Sequence, residues 1–266
     1  MGGRRRGFLG HSRLCTVQRT AGGRWLIRNG VDPAAPGRWL DAYMALLPRH
    51  ATAWLKRDTK RVLARLTDSL GTCVVKEFRH PGPWGRWRPD CRCWVNTHMF
   101  ELLGIPAMRA LAWFRAGDGR GILFLQDGGD VNLHKALQML PDPARRRSLL
   151  SQVAWIFGRL HAYGVWHGDC KASNFMVVPA AQITTRWSPW VRCGVETVAM
   201  VDADSLRLSA GLSLAQRVAN LRSWRASLPD GCTMTRGERA RFLVIYSRMS
   251  GLGRVERRTL AGLFPP

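Results

Sequence analysis

The segment LHAYGVWHGDCKASNFMVV holds polar side chains whose types and spacing could do chemistry, directly before an apolar run. Asp169 can accept a proton, and Lys171, two residues later, can neutralise an anionic group. Asn174, five residues after Asp169, offers a neutral oxygen of the kind that Mg²⁺ accepts as a ligand. Asp202 follows a second apolar run, VAMV. Together these residues suit the transfer of a charged group to a hydroxyl.

The offsets resemble those of the protein-kinase loop H-R-D-x-K-x-x-N, in which catalysis rests on positioning and charge neutralisation. By that resemblance Asp169 is the catalytic aspartate and Lys171 lies near the transferring phosphoryl group. Asn174 and Asp202 are the expected magnesium ligands, with Asp202 at the place of the D-F-G aspartate. We favour Asp202 over Asp204 because it directly follows the apolar run. We expect a structural role for His167.

These residues need elements to position them, and the chain supplies a strand-rich half before a helix-rich half. The pieces WLK, RVLARL and TCVVKEF predict a small antiparallel sheet, and the third carries Lys76 after two valines. A helix is predicted over 91–103, then a strand, GILFLQD, and a hinge at 126–129. Helical periodicity returns around 149–160 and again from Ser213.

The order of elements predicts an α+β protein with a small strand-rich N-lobe, a helix-rich C-lobe and a cleft. The resemblance of the loop to that of protein kinases implies that this two-lobed fold is protein-kinase-like. We expect a basic, loosely ordered extension over 1–45, an N-lobe with a nucleotide-holding lysine over 46–127, and a C-lobe with the catalytic loop and the metal-binding aspartate over 128–266. The apolar fraction, 46%, is sufficient for a sizeable core.

Several motifs in order resemble the lipopolysaccharide core kinase family, whose members phosphorylate Kdo or heptose sugars. The resemblance covers residues 54 to about 249 and includes VVKEF, CWVNTHMFELLGIPAMRALAWF, LHAYGVWHGDCKASNFMVV, MVDADSLRL and RVANLRSWRASL. It implies ATP and Mg²⁺ as cofactors and a sugar hydroxyl of lipopolysaccharide core, or of a related glycolipid, as acceptor. It also implies that Lys76 holds the α- and β-phosphates.

Three features depart from the protein-kinase pattern. The turn Arg57-Asp58-Thr59-Lys60 stands where a GxGxxG loop would cover the phosphates, with Lys60 as a basic substitute. The nearest acidic candidates to pair with Lys76 are Asp90 and Glu101. A long insert at 179–194 precedes the second apolar run, and we expect its tryptophans to contact substrate; they are Trp187 and Trp190.

The formal charge of +23 is concentrated in the flanks, which contribute +6 over 1–45 and +8 over 205–266. Such a field attracts polyanions, and we expect peripheral contact with an anionic membrane surface. Seven scattered cysteines without paired CxxC spacing, and no run long enough to span a bilayer, predict a cytoplasmic protein that contacts the inner membrane from that side.

Two other functions stay open at this point. A Ser/Thr protein kinase would share the catalytic residues, although no A-P-E motif follows Asp202. A pseudokinase that binds partners through its basic surface would fit the absent glycine loop. Specific nucleic-acid binding is not expected, because no recognised binding motif accompanies the charge.

Overall fold

The structure, a computed structural model, describes residues 9–47, 54–59, 61–69, 71–79, 88–139, 142–183, 185 and 188–262. The chain divides into two compact units. The first comprises Met1–Met99 and Met108–Asp127, and the second comprises Phe100–Ala107 and Gly128–Pro266. The first unit is built on strands and the second mainly on helices, which agrees with the predicted α+β class.

A seven-stranded antiparallel sheet forms the first unit, in the order β1-β2-β6-β7-β5-β4-β3. Its strands are β1 (Cys15–Thr20), β2 (Gly23–Arg28), β3 (Trp54–Arg57), β4 (Arg61–Asp68), β5 (Gly71–Phe78), β6 (Ala110–Ala116) and β7 (Gly121–Gln126). Alternation sets the register: in β4 the buried side chains are Val62, Ala64 and Leu66, two residues apart. One face of this strand therefore points to the core.

Two helices cover the two faces of the sheet. Helix α1 (Ala35–Leu46) packs Trp39 and Tyr43 into a cluster that includes Val75. Helix α2 (Pro89–Leu102) packs Trp94 into a second cluster with Phe78 and Leu123. Because successive strand residues point to opposite faces, Lys76 extends from β5 on the same face as Phe78. That is the face that α2 covers.

The predicted loose order over 1–45 differs from the structure, in which β1, β2 and most of α1 fall within this range. The polar, mostly exposed β1 gave a weak sequence signal, and β2 is fixed by pairing with the distant β6. For the same reason the sheet is larger than the small one predicted. Leu102, expected on the buried face of the predicted helix, is 52% exposed.

The second unit surrounds a long buried helix, α4 (Pro143–Ala162). Its other helices are α3 (Leu133–Gln138), α5 (Pro189–Arg192), α6 (Leu214–Ala226), α7 (Arg236–Ser250) and α8 (Arg254–Gly262). Two short antiparallel pairs complete it: β8 (Val165–His167) with β11 (Leu206–Leu208), and β9 (Phe175–Val178) with β10 (Thr197–Met200). Among the described residues no helix is long and apolar enough to cross a membrane.

Sequence signals at the helix ends explain where these elements begin. The Asp142 side chain accepts hydrogen bonds from two backbone amides of α4, and Pro143 occupies the first turn, where its missing N–H costs nothing. Ser213 and Thr235 form capping boxes at α6 and α7. The predicted start of a helix near Ser213 is confirmed.

Helices α4 and α7 approach closely because α4 carries a glycine at their contact. A Cβ atom on Gly158 would lie 2.4 Å from the Cβ of Met249 and 3.0 Å from the carbonyl oxygen of Tyr246. Any side chain at this position would force the two helices apart. The approach also brings Tyr246 within reach of the polar groups beneath the catalytic loop, described next.

Candidate active site

The β9–β10 pair brings Asn174 and Asp202 to the same end of one hairpin. Phe175, the first residue of β9, is opposite Met200, the last residue of β10. The backbone N–H of Val201 then donates to the carbonyl oxygen of Asn174 at 3.0 Å. Asn174 precedes β9 and Asp202 follows β10. Strand pairing therefore brings close together two residues that are 28 positions apart in the sequence.

Asp202 has the left-handed conformation, with φ 62° and ψ 61°. Among the described residues it is the one non-glycine with positive φ. Residues held in this region cost free energy and cluster at functional sites, although aspartate tolerates it better than most. Asp204 is buried in the following 3₁₀ turn, Ala203–Ser205, whereas Asp202 is half-exposed. The half-exposed carboxylate is the one that a ligand can reach.

The catalytic-loop residues named from the sequence lie together. The Lys171 ammonium forms an ion pair with Asp169 Oδ2 at 2.9 Å, and both side chains are nearly half exposed. The Asn174 amide nitrogen donates to the Asp169 carbonyl oxygen at 2.7 Å and approaches Asp169 Oδ2 at 3.4 Å. These bonds use the nitrogen of Asn174 and leave its oxygen, the possible cation ligand, outside them.

His167 supports the loop from beneath. Its Nδ1 accepts a hydrogen bond from the Asp169 backbone N–H at 3.2 Å and lies 3.2 Å from the Ser205 hydroxyl. Burial lowers the pKa of His167 to about 4, although the neighbouring Asp202 and Asp169 act to raise it. The imidazole is therefore neutral near pH 7, as an accepting Nδ1 requires. His167 joins the loop to the Asp202 turn without contributing a charge.

Helix α6 holds the loop at three points that the sequence analysis missed. The Asn220 amide donates to the His167 carbonyl oxygen at 2.7 Å and accepts from the His167 N–H at 3.2 Å. The Ser227 hydroxyl accepts from the Ala172 N–H at 2.7 Å, and the Ser223 hydroxyl donates to the Cys170 carbonyl oxygen at 3.3 Å. The signal available in the sequence was a polar residue, Asn220, between apolar positions of a helix. In the structure this residue is buried.

Two further buried groups orient Asn220. His161 Nε2 lies 3.2 Å from Asn220 Oδ1, and His161 Nδ1 lies 2.8 Å from the Tyr246 hydroxyl. Burial lowers the pKa of His161 to about 4, so this ring is also neutral near pH 7. The neutral ring donates from Nε2 to Asn220 and accepts at Nδ1 from Tyr246, which completes a hydrogen-bonded chain from α7 through α4 to α6.

In the first unit, Lys76 is 4% exposed on β5, with its ammonium 5.2 Å from the centroid of the Phe78 ring. Asp90, one candidate partner, is fully buried and accepts two hydrogen bonds from Arg88 and one from Trp113, each 3.1–3.2 Å long. Those bonds tie the start of α2 to the β6–β7 hairpin. Glu101, the other candidate, lies in the last turn of α2.

Two other features that depart from the protein-kinase pattern are the β3–β4 turn and the insert with its tryptophans. In the β3–β4 turn the Asp58 carboxylate accepts from the Arg61 N–H at 2.7 Å, while Lys60 lies outside the described residues. Trp187 also lies outside them. Trp190 packs its ring edge-on against Trp155, with centroids 6.3 Å apart, so at least part of this side chain serves the core and not a substrate surface.

No group of three or more His, Cys, Asp or Glu side chains in the described part of the chain could hold a metal ion. Asn174 and Asp202 together still fit Mg²⁺, which commonly takes one or two protein oxygens and draws its remaining ligands from phosphates and water. An ion there would supply neutralisation of phosphate charge. The protein residues would supply its position.

The model of the lipopolysaccharide kinase (Kdo/WaaP) family matches residues 93–187, a range that contains most of α2 and the predicted hinge and catalytic loop. Over this range the chain is similar to this kinase family. The predicted family is thereby confirmed, and so is the prediction of a phosphotransferase. No curated protein sequence matches the chain.

The chain is also similar to a solved structure described as WaaP in complex with acyl carrier protein, over 88% of this chain and 98% of that one. The TM-score is 0.59 at 20% sequence identity. At that identity the likeness concerns the fold, and it confirms the predicted protein-kinase-like fold.

Proposed function

We propose that this protein transfers the γ-phosphoryl group of ATP to a sugar hydroxyl, Kdo or heptose, of lipopolysaccharide core or a related glycolipid. The observation that carries the proposal is the convergence of Asp169, Lys171, Asn174 and Asp202 on one loop and one hairpin end. The family match supports a lipopolysaccharide kinase.

Asp169 is the group proposed to accept the proton of the attacking hydroxyl. Its side chain is nearly half exposed, so an acceptor hydroxyl can reach the carboxylate. Lys171, 2.9 Å away, balances the carboxylate charge before the reaction and is placed to stabilise negative charge on the phosphoryl group during it. The fixed backbone of the loop keeps both groups in place without reorganisation.

Asn174 and Asp202 are proposed to hold Mg²⁺, and Lys76 to bind the α- and β-phosphates of ATP. The left-handed conformation of Asp202 turns the chain sharply after β10 and presents a half-exposed carboxylate. Lys76 is buried, so desolvation strengthens its interaction with a phosphate. Both roles follow from the kinase resemblance and agree with the chemistry of the side chains.

We also propose that the basic flanks hold the protein at an anionic surface, on the cytoplasmic face of the inner membrane. The described residues of the flank 205–262 include exposed arginines on α6, α7 and α8; they are Arg222, Arg236, Arg241, Arg248, Arg254, Arg257 and Arg258. Each such residue near an anionic surface contributes about 1 kcal/mol to binding. Sedimentation with anionic and neutral vesicles tests this contact.

Nucleotide binding is tested by thermal shift. We expect ATP with Mg²⁺ to raise the melting temperature of the wild type more than ATP with EDTA does, because a ligand that binds only the folded state stabilises it. The Asp202→Ala variant should lose this difference, whereas Asp230→Ala, which removes an exposed aspartate of the second unit, should keep it. Equal shifts with Mg²⁺ and EDTA in the wild type would exclude the magnesium site.

A further inference from the structure

A tryptophan and an arginine lie beside the catalytic loop and take no part in the site described above. Trp166 in β8 is opposite Arg207 in β11, and the Arg207 guanidinium carbon lies 5.3 Å from the centroid of the Trp166 ring. Trp166 is half-buried and Arg207 is exposed. They form a stacked cation–π pair at the surface of the second unit.

The pair is fixed to the reacting part of the site by backbone geometry. A Cβ atom on Gly168 would lie 2.9 Å from Cζ3 of Trp166 and 3.1 Å from the Ser205 carbonyl oxygen. The indole therefore packs directly on the residue that precedes Asp169. Only glycine leaves room for this contact, since any side chain would strike either the ring or the backbone of Ser205.

In the sequence the pair flanks the two acidic residues of the site, one member on each side. Trp166 is three residues before Asp169, and Arg207 is five residues after Asp202. The Gly168 N–H donates to the Ser205 carbonyl oxygen at 3.2 Å, so the β8–β11 ladder continues up to the loop itself. A substrate whose hydroxyl reaches Asp169 can extend along this ladder.

Arg207 has its donors available for an anion. A guanidinium stacked on an aromatic ring keeps its edge N–H groups directed outward, where they match the two oxygens of a carboxylate or phosphate. No carboxylate forms an ion pair with Arg207 among the described residues, in contrast to Arg145, Arg146 and Arg65, which all pair with acidic side chains. The stacking fixes the guanidinium without consuming its hydrogen-bonding capacity.

We infer that Arg207, positioned by Trp166, is an acceptor subsite that binds an oxyanion carried by the sugar substrate. The inference rests on the proposed function and deepens it, because it assigns the acceptor a negatively charged group as well as a hydroxyl. The oxyanion is the carboxylate of an acidic sugar or a phosphate already on the core oligosaccharide. Arg207 contacts substrate, whereas Trp166 acts through Arg207.

The test measures steady-state transfer to a core oligosaccharide by the full chain. Arg207→Gln should raise KM for the acceptor about tenfold, with KM for ATP unchanged, because a charge-assisted hydrogen bond to the acceptor is lost. The acceptor KM of Arg207→Lys should lie between that of the wild type and that of Arg207→Gln. Trp166→Leu should raise the same KM by a smaller factor. The matched control is Arg147→Gln, which removes one exposed arginine from α4 and should leave both KM values unchanged.

Two chemically altered acceptors, each tested in a separate arm of the experiment, identify the oxyanion that Arg207 binds. One arm uses an acceptor whose acidic sugar has had its carboxyl group reduced, and the other uses an oligosaccharide without its phosphate. Only the arm that removes the bound oxyanion should raise the wild-type acceptor KM as much as Arg207→Gln does, and with that acceptor the substitution should have no further effect. Equal acceptor KM values in Arg207→Gln and Arg147→Gln would overturn the subsite.

Failure of the subsite and failure of the proposed function give different results. If the wild type phosphorylates no core acceptor, the proposed function fails, and the subsite is then judged by calorimetric binding of the same oligosaccharide. Binding that weakens about tenfold in Arg207→Gln but not in Arg147→Gln supports the subsite, and equal binding overturns it. A fall in melting temperature in Arg207→Gln without a change in affinity would show a purely structural pair.

Discussion

Lys76 and Asp169 belong to different units of the molecule and are held by different forces. Lys76 lies on an eight-residue strand that pairs with β4 on one side and β7 on the other, between apolar clusters on both faces of the sheet. Asp169 lies on a loop whose backbone is held by side chains of α6 and by a chain of buried polar groups.

This contrast indicates how sensitive each unit is to single substitutions. Strand pairing uses backbone groups that every residue but proline possesses, so the position of Lys76 depends little on the identity of any one neighbour. The loop depends on particular polar side chains, and removing a buried one such as Asn220 or His161 leaves its partner unsatisfied. Single substitutions should therefore disturb turnover more readily in the second unit.

The largest expected effect follows from removing the loop carboxylate itself. Asp169→Ala should lower kcat by about 10²-fold or more, because proton acceptance and the fixed position of Lys171 are lost together. The measurement is phosphate transfer at saturating ATP and acceptor. Asp169 is nearly half exposed, so the melting temperature should change little, and the matched exposed variant Asp230→Ala should retain full turnover. Near wild-type kcat in Asp169→Ala would contradict the assignment.

The next-largest effect is expected from removing the α6 side chain that anchors the loop, and it should show the difference in sensitivity between the two units. Asn220→Ala leaves the His167 backbone groups and His161 without their partner, and should lower the free energy of unfolding by about 2–4 kcal/mol. It should also lower kcat, since the loop loses its fixed position. Urea unfolding and kinetics measure the two effects. The neighbouring exposed variant Ala219→Ser is the control. An unchanged kcat would show that the anchor serves stability alone.

A polar contact in the first unit provides the comparison. The Tyr43 hydroxyl of α1 donates to the buried Glu77 carboxylate, next to Lys76, and burial with this bond raises the Tyr43 pKa. Tyr43→Phe should lower the free energy of unfolding by about 1–3 kcal/mol, because Glu77 loses a donor. We expect kcat to stay within about twofold, since backbone pairing still fixes β5. The control is Tyr163→Phe at an exposed hydroxyl. A large fall in kcat would break the comparison.

The smallest expected effect is on pH dependence. His161 and His167 both have pKa values of about 4 in the folded protein, below the ordinary value of 6.5. Between these two pH values the unfolded chain therefore binds more protons than the folded protein does. The contribution of the two histidines to the free energy of unfolding is thus fully present above pH 6.5 and is lost as the pH drops toward 4. Between pH 7.5 and 5.5 the loss should be on the order of 1 kcal/mol per histidine.

Urea unfolding at the two pH values checks this dependence, and His161→Gln should remove about half of it. An unfolding free energy that rises on acidification over this range would contradict neutral buried histidines. Because both rings lie in the second unit, the pH effect distinguishes the polar support of the loop from the apolar support of the sheet.

The sequence predicted much of the fold where a signal was local. The β-like pieces RVLARL and TCVVKEF, the serine at the start of α6 and the periodicity of α4 correspond to observed elements. It underestimated the sheet, because β1 and β2 are short and partly polar. β1 pairs with β2, and β2 pairs with β6, which lies about 90 residues away along the chain. Contacts between distant segments leave little trace in composition or periodicity.

By itself the sequence determined the residue types of the site, their spacing in one loop and the apolar strands beside them, because covalent order fixes those separations. It also indicated the family, which the comparison confirmed. Only the tertiary structure decided that Asn174 and Asp202 meet at one hairpin end, that α6 anchors the loop through Asn220, and that Arg207 stacks on Trp166. Each of those contacts depends on strand register or helix packing, which residues far apart in the chain set together.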